Sequence, residues 1–425
     1  MTAQSGWRNL SAALGNHDFA IFTWAGMPGL VAMWAQRIGI GWLAWDLTQS
    51  PAWLGIIAMA DLLPAVFIAP LSGAMVDRLN VLRLLGITQA LTVAHAAALW
   101  ILTLTGIIDI WLLFGLALLL GFNQPFVVAS RHNLVPLIVP PQLLGSAIAI
   151  NSISFNVARF IGPAVAGILI AWSGVEIVFL VETIAETILL VSLAFFRVNP
   201  QPKAIARGGM LALIADVRAG IGYIAGHTGI GPILVLLTFT AVSSRPSLEL
   251  LPGFADAVFQ RGAEGLGWLG AAVGLGGISG ALWLARRSSV QGLTKAVIGF
   301  SLSMSLALVA FAVLGNFWLA LVFLAMCGFS MVIAGAGTQT LLQWSVDPAM
   351  RGRVMSAYTL LYRGLPALGA LAIGAAAEFI GLRAAVACAA TTCAVTCLWA
   401  LRRQRRMAHA LEKPAAHAAT AETAS

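Results

Sequence analysis

Long apolar runs, each interrupted by a few polar residues, succeed one another from residue 18 to residue 401. Apolar stretches of 18 or more residues mark membrane helices, because about 20 residues at a 1.5 Å rise cross a hydrocarbon layer ~30 Å thick. The pattern predicts helices over 18–46, 52–76, 82–105, 110–130, 143–172 and 175–197. After a polar stretch it predicts six more, over 229–251, 264–285, 291–314, 317–343, 353–379 and 383–401. The expected fold is an all-α polytopic membrane protein, with twelve transmembrane helices in two six-helix bundles. The bundles are residues 1–197 and 229–401, joined by a cytoplasmic linker, 198–228, and followed by a cytoplasmic tail, 402–425, basic at first and then disordered.

Twelve crossings put both termini on one side, and the cations choose which. Cytoplasmic loops of membrane proteins carry an excess of Lys and Arg. With the N-terminus inside, 18 of the 24 Lys and Arg fall on inner segments, Arg131 among them, and only Arg261 and Arg383 on outer ones. Both termini are therefore expected in the cytoplasm. Residues 1–16 have no apolar core leading to a cleavage site, so the first helix is expected to remain as an anchor.

Composition narrows the class further. At 60% hydrophobic, 9% charged and a mean hydropathy of +0.92, the chain has too little polar surface to stay dispersed in water. The net charge of +8 is accounted for by the loop asymmetry, and no basic patch interleaved with stacking aromatics points to nucleic acid. The four cysteines, Cys327, Cys388, Cys393 and Cys397, all fall within apolar runs and are expected to be small core residues. No His or carboxylate lies near enough to them in sequence to suggest a metal, and no cofactor is expected.

A shift of 207 residues brings the halves into register. Ser72-Gly73-Ala74 falls on Ser279-Gly280-Ala281 and Gly121-Phe122 on Gly328-Phe329. Gly162, Gly167 and Gly174 fall on Gly369, Gly374 and Gly381, and Pro141 on Pro348. Duplicated halves of six helices share one orientation in the membrane and are related by an axis along its normal, with a site between them in transporters of this kind.

The connection "SGAMVDRLNVLRL", Ser72 to Leu84, concentrates Asp77, Arg78 and Arg83 in a chain poor in charge. Arg78 and Arg83 suit an inner loop. Asp77 either decorates an ordinary solvated turn or sits against a helix N-terminus and nearby Arg as a latch. The pattern of Gly73, Asp77, Arg78 and Arg83 resembles the signature between helices two and three of the major facilitator superfamily. The family usually has glycine where Asn80 stands, and the second-half copy has Leu284 in place of Asp77. Stretches such as "WAQRIGIGWLAWDLTQSP" and "DPAMRGRVMSAYTLLYRGLPALGALAIGAAAEFIGLRAA" are similar to the branch holding the enterobactin exporter and macrolide efflux proteins, over about residues 15–402. Arg159 followed by "GPAVAG" (Gly162, Pro163, Gly167) resembles the export-associated motif of helix five, with Ala166 where a glycine is usual. The resemblance implies a bacterial inner-membrane transporter acting as a monomer. It further implies that Asp77 and Arg78 brace the cytoplasmic ends, and that helices one, two, five and eleven border a central cavity.

Ionisable groups at bilayer depth cost about 2.5–3.5 kcal/mol on insertion scales and persist when paired or facing water. Eight occur here: Arg37, Arg159, Arg245, Arg363, Asp61, Glu182, Glu186 and Glu249. On the implied architecture Arg37, Asp61, Arg159 and Arg363 are candidates for substrate contact or proton coupling, and ion pairs that lock helices together are the alternative. Glu182 and Glu186 share a helix face and favour a shared proton; the resemblance implies that helix six is peripheral, which suits local pairing or a lipid-shielded protonated acid rather than transport. Glu249, four residues after Arg245, suits a local pair. Asn123, Gln124, Asn151, Asn156, Gln339 and Gln343 could hydrogen-bond a polar ligand or one another's helices. Trp34 offers an apolar face, while Trp42 and Trp45 are expected in the interfacial aromatic belt.

These features point to a secondary transporter exporting an amphipathic small molecule, siderophore-like or a drug, against entry of protons. An importer of a polar nutrient is the alternative. No Gly-x-x-x-x-Gly-Lys-Ser/Thr loop is present for ATP, and six scattered histidines with no His-Glu-x-x-His set argue against an enzyme.

Overall fold

A computed structural model describes residues 10–197, 220–287 and 289–413, with the backbone alone at 70, 74 and 77. Most of the expected linker and the end of the tail lie outside the described residues. The long helices are α1 (His17–Thr48), α2 (Pro51–Arg78), α3 (Val81–Leu104), α4 (Ile110–Ile138), α5 (Leu144–Ser173) and α6 (Glu176–Ser192). They continue with α7 (Ile230–Val258), α8 (Gly262–Ala285), α9 (Leu293–Val313), α10 (Phe317–Ser345), α11 (Arg351–Ile380) and α12 (Leu382–Leu411). Among the described residues, 11 helices are long and apolar enough to cross a membrane. The remaining long helix, α1, has 32 residues but mixes in Asp18, Gln36, Arg37 and Asp46.

Local signals explain the boundaries. Asn16, Asn80, Asp109 and Asn316 accept backbone N–H groups at the starts of α1, α3, α4 and α10, satisfying donors that a helix leaves open. Asn80, which replaces the family's usual glycine, therefore has its own task as a cap. Gly174 and Gly381 end α5 and α11 at φ values of +93° and +83°, a region that glycine enters without a Cβ clash.

The 207-residue shift has a counterpart in two pairs of elements. It carries α4 onto α10 and α5 onto α11 end for end, and it carries the cap Asp109 onto Asn316. Repeat-related glycines also perform the same packing. A Cβ on Gly162 of α5 would lie 2.8 Å from the Val31 oxygen of α1, and one on Gly369 of α11 would lie 2.6 Å from Pro246 of α7. Likewise Gly121 lets α4 meet α2, where a Cβ would lie 2.7 Å from the Ala60 oxygen, and Gly328 lets α10 meet α8 at Val273. Small residues permit such close helix contact in a membrane.

The chain forms two compact units. One comprises residues 1–49, 60–205 and 255–271, the other residues 50–59, 206–254 and 272–425. Each therefore includes one short piece from the opposite half of the sequence. In the first unit Gly267 of α8 abuts Gly167 of α5, with a Cβ on Gly267 only 2.8 Å from the Gly167 Cα. Trp45 of α1 also donates from Nε1 to Asp256 Oδ2 at 2.9 Å. In the second unit the start of α2 lies on α11: a Cβ on Gly374 would lie 2.6 Å from the Pro51 oxygen. There Glu378 accepts from Ser50 Oγ at 2.7 Å and from the Ala52 N–H at 3.3 Å.

Three expectations change. Arg131 is not in a loop: α4 continues to Ile138 and places it within the helix, its guanidinium 5.3 Å from the Phe22 ring centre. Cys388 is exposed on α12, while Cys327, Cys393 and Cys397 are buried as expected. Trp45, expected in the interfacial belt, faces inward: the residue is 3% exposed and its Nε1 is bonded to Asp256.

Candidate substrate and proton site

In the first unit, Arg37 of α1 meets Asp61 of α2, Nη1 to Oδ2, at 3.6 Å. The side chains are 34% and 22% exposed, so the pair is open on one side. The backbone beside it is held by the α2–α4 approach at Gly121, and Pro64 has no N–H to return to the Ala60 carbonyl.

One turn before Arg37, Trp34 shares its face of α1. Arg159 of α5 lies over the Trp34 ring with its guanidinium carbon 5.4 Å from the centre, and Phe155 meets the same ring edge-on at 5.7 Å. Gly162 makes this possible by bringing α5 against α1. The set therefore combines two guanidinium groups, one carboxylate and two aromatic faces. Its net charge is positive, and its chemistry suits an anionic group carried on an apolar body.

In the second unit, α7 and α11 both depart from the regular helix at their arginines. Thr240–Ser244 and Leu360–Gly364 are π-helical turns, a distortion frequent at functional sites. Pro366 cannot donate to the Tyr362 carbonyl four residues earlier, and Arg245 fills that gap from Nη1 at 2.7 Å. The same guanidinium lies 4.2 Å from the Tyr362 ring centre, and that ring stacks on Tyr358 at 5.4 Å and 13°. The Tyr358 hydroxyl donates to the Gly335 carbonyl of α10 at 3.2 Å. Arg363, next in sequence, is exposed. Replacing Arg245 with Met is expected to cost about 1–3 kcal/mol by stranding the Tyr362 carbonyl. A lower melting temperature of the detergent-solubilised protein would register it, and an unchanged one would mean that the carbonyl has another donor.

Sequence reasoning singled out Arg37, Asp61, Arg159 and Arg363 but missed Tyr358 and Tyr362. The available signal was that two of only three tyrosines lie four residues apart beside Arg363. The uncharged candidates divide. Asn123 donates to the Thr88 carbonyl and Thr92 Oγ1 of α3 at 3.0 and 2.9 Å, an interhelical task. Asn156 donates back to Ser152 of its own helix at 2.7 Å. Gln124 and Asn151 are half-buried, and Gln339 and Gln343 are exposed on α10. Of the loop motif, Gly73 has open space where a Cβ would stand, Arg78 ends α2, and Arg83 is exposed near the start of α3. The Asp77 side chain lies outside the described residues.

Membrane-length helices, charges held at their centres and close-packed repeat-related glycines define a multi-pass membrane transporter. The chain belongs to the transmembrane secretion effector family of the major facilitator superfamily, whose family model matches residues 9–423. It is 25% identical to the staphyloferrin A transporter of Staphylococcus aureus over 352 residues, 82% of this chain and 87% of that one. It is 24% identical to the multidrug efflux pump Tap of Mycolicibacterium fortuitum over 82% of this chain and 86% of the pump. With the enterobactin exporter EntS of Escherichia coli it shares 25% identity over 60% of each chain. Among solved structures, a mutant of the peptide transporter POT in complex with sulfate superposes with a TM-score of 0.72 at 13% identity, covering 93% of this chain and 95% of that one. The protein is accordingly a transporter of a small molecule and not an enzyme.

Proposed function

We propose that the protein is a proton-coupled exporter of an amphipathic anion, siderophore-like or drug-like, working by alternating access in the inner membrane of a bacterium. The observation that carries this reading is the half-open Arg37–Asp61 pair at 3.6 Å, with Arg159 and Trp34 on the adjoining face. A proton on Asp61 removes the negative partner and leaves Arg37 available to an anionic group. Arrival of that group at Arg37 displaces Asp61 in turn and favours its protonation. The Asp61 carboxylate and the substrate anion thus compete for one arginine, which links the protonation of Asp61 to substrate binding. The names of the relatives, an exporter of a siderophore and an efflux pump among them, support the direction and the class of cargo.

On this reading twelve helices form two six-helix bundles, 1–197 and 229–401, related by a pseudo-two-fold axis, in a monomer with both termini cytoplasmic. The contacts of Gly167 with Gly267 and of Gly374 with Gly55 then lie toward the outer face and separate when that side opens. Arg363 and the Arg245–Tyr362 stack lie on the second bundle's share of the pathway. Asp77 acts with Arg78 as the inner latch. Replacing Asp77 with Ala is expected to raise labelling of cysteine probes at the cytoplasmic ends of the helices, and an unaltered labelling pattern would count against the latch.

Transport into inside-out vesicles tests direction. Acidifying the vesicle interior should drive accumulation of a labelled anionic siderophore or drug. Accumulation only under the reversed gradient would favour import instead.

A further inference from the structure

We propose that Glu182 and Glu186 form a proton-binding site inside the first unit, separate from Asp61, that holds one proton per chain. Both lie on one face of α6 and are buried, at 1% and 4% exposure. Gln89 of α3, itself 0% exposed, donates from Nε2 to the Glu186 carboxylate and to the Glu186 carbonyl at 3.3 Å. Arg131 of α4 approaches from another side, within electrostatic reach of Glu186. Helix α1 makes the space with two glycines. A Cβ on Gly26 would lie 2.9 Å from Arg131 Nη2, and one on Gly29 would lie 2.9 Å from Glu186 Oε1.

The charge count selects the ligand. Two carboxylates and one guanidinium leave one negative charge, and a net charge enclosed in a medium of low dielectric is strongly disfavoured against a neutral set. One proton makes the cluster neutral. Hydrogen bonding says where it resides. Glu186 has the Gln89 donor and the nearby guanidinium to stabilise its ionised form. Glu182 Oε2 is buried with no hydrogen-bond partner, as is Gln89 Oε1. An oxygen without a donor is the poorest place in the cluster for a negative charge, so the proton belongs on Glu182.

Four further titratable groups on the elements around α6 are engaged elsewhere. Arg37 of α1 pairs with Asp61, and Arg159 of α5 stacks on Trp34. Asp18 at the start of α1 takes His17 and the Arg197 N–H, and His95 of α3 bonds the Leu116 carbonyl.

Infrared difference spectra of the reconstituted full chain test this without any substrate, so their failure is distinct from failure of the exporter reading. Wild type at neutral pH is expected to show a carboxylic acid C=O band that Glu182→Gln loses and Asp61→Asn keeps. Gln is isosteric with the protonated acid, and an unshifted melting temperature of that variant verifies its fold. Glu186→Gln should also lose the band, because the remaining Glu182 then balances Arg131 in its ionised form. An identical band in wild type and Glu182→Gln would overturn the proposal. So would an undiminished band in Glu186→Gln, which would mean a carboxyl kept neutral by burial alone.

Discussion

Replacing Asp61 with Asn is expected to abolish uphill export driven by a proton gradient while leaving substrate exchange at equal concentrations intact. The amide keeps the shape of the protonated acid, so Arg37 is left permanently without its carboxylate partner, which lies 3.6 Å away in the wild type. Substrate can still bind and cross, but no proton returns in exchange. The coupling between two sites of this kind is worth about 1–3 kcal/mol, or about 5- to 150-fold in affinity. Loss of Asp61 should therefore make apparent substrate affinity independent of pH over that range. Unchanged gradient-driven flux in the variant would remove Asp61 from coupling and return the pair to a structural role. Arg37→Lys sharpens the result: it keeps the charge but loses the planar fork that suits a carboxylate or similar anion. It should weaken substrate binding more than it weakens proton dependence.

The second large effect is expected at Gly374 of α11. Its Cα hydrogen faces backbone: a Cβ would lie 2.6 Å from the Pro51 oxygen and 3.0 Å from the Gly55 Cα. Neither atom belongs to a side chain that could turn away. Gly374→Leu should push the start of α2 from α11 and disfavour the close-packed state by about 1–3 kcal/mol, the usual penalty of overpacking. If the packed state is the outward-closed one, the population shifts toward outward opening, opposite in sense to Asp77→Ala. Distances between spin labels at the first turn of α2 and the last turn of α11 would read the shift. A distribution identical to wild type would show that this contact is not part of the moving seam.

The helices were legible because hydrophobic runs and caps are local signals. Asp109 and Asn316 begin α4 and α10 from the same place in each repeat, and Gly174 and Gly381 end α5 and α11. The likeness of α4 to α10 and of α5 to α11 was legible through glycines, which are constrained wherever helices touch. Partners were not. Nothing in the spacing of Arg37 and Asp61 tells that α1 and α2 present them to each other. Likewise nothing in the spacing of Arg245 tells that it reaches across to the Tyr362 carbonyl 117 residues away. That contact depends on a π-turn and on Pro366, effects of backbone geometry that a hydropathy pattern does not record. Arg131 was misplaced for a related reason: a charge within an apolar run looks like its end, whereas Phe22 and Glu186 shelter it and let α4 run on to Ile138.

The measurement closest to the central claim follows protons and cargo together. Proteoliposomes loaded with a pH indicator and given an outward gradient of a siderophore or drug substrate should show protons moving inward as substrate leaves, even against a modest pH difference. Substrate efflux at the same rate with no accompanying proton movement would contradict the account.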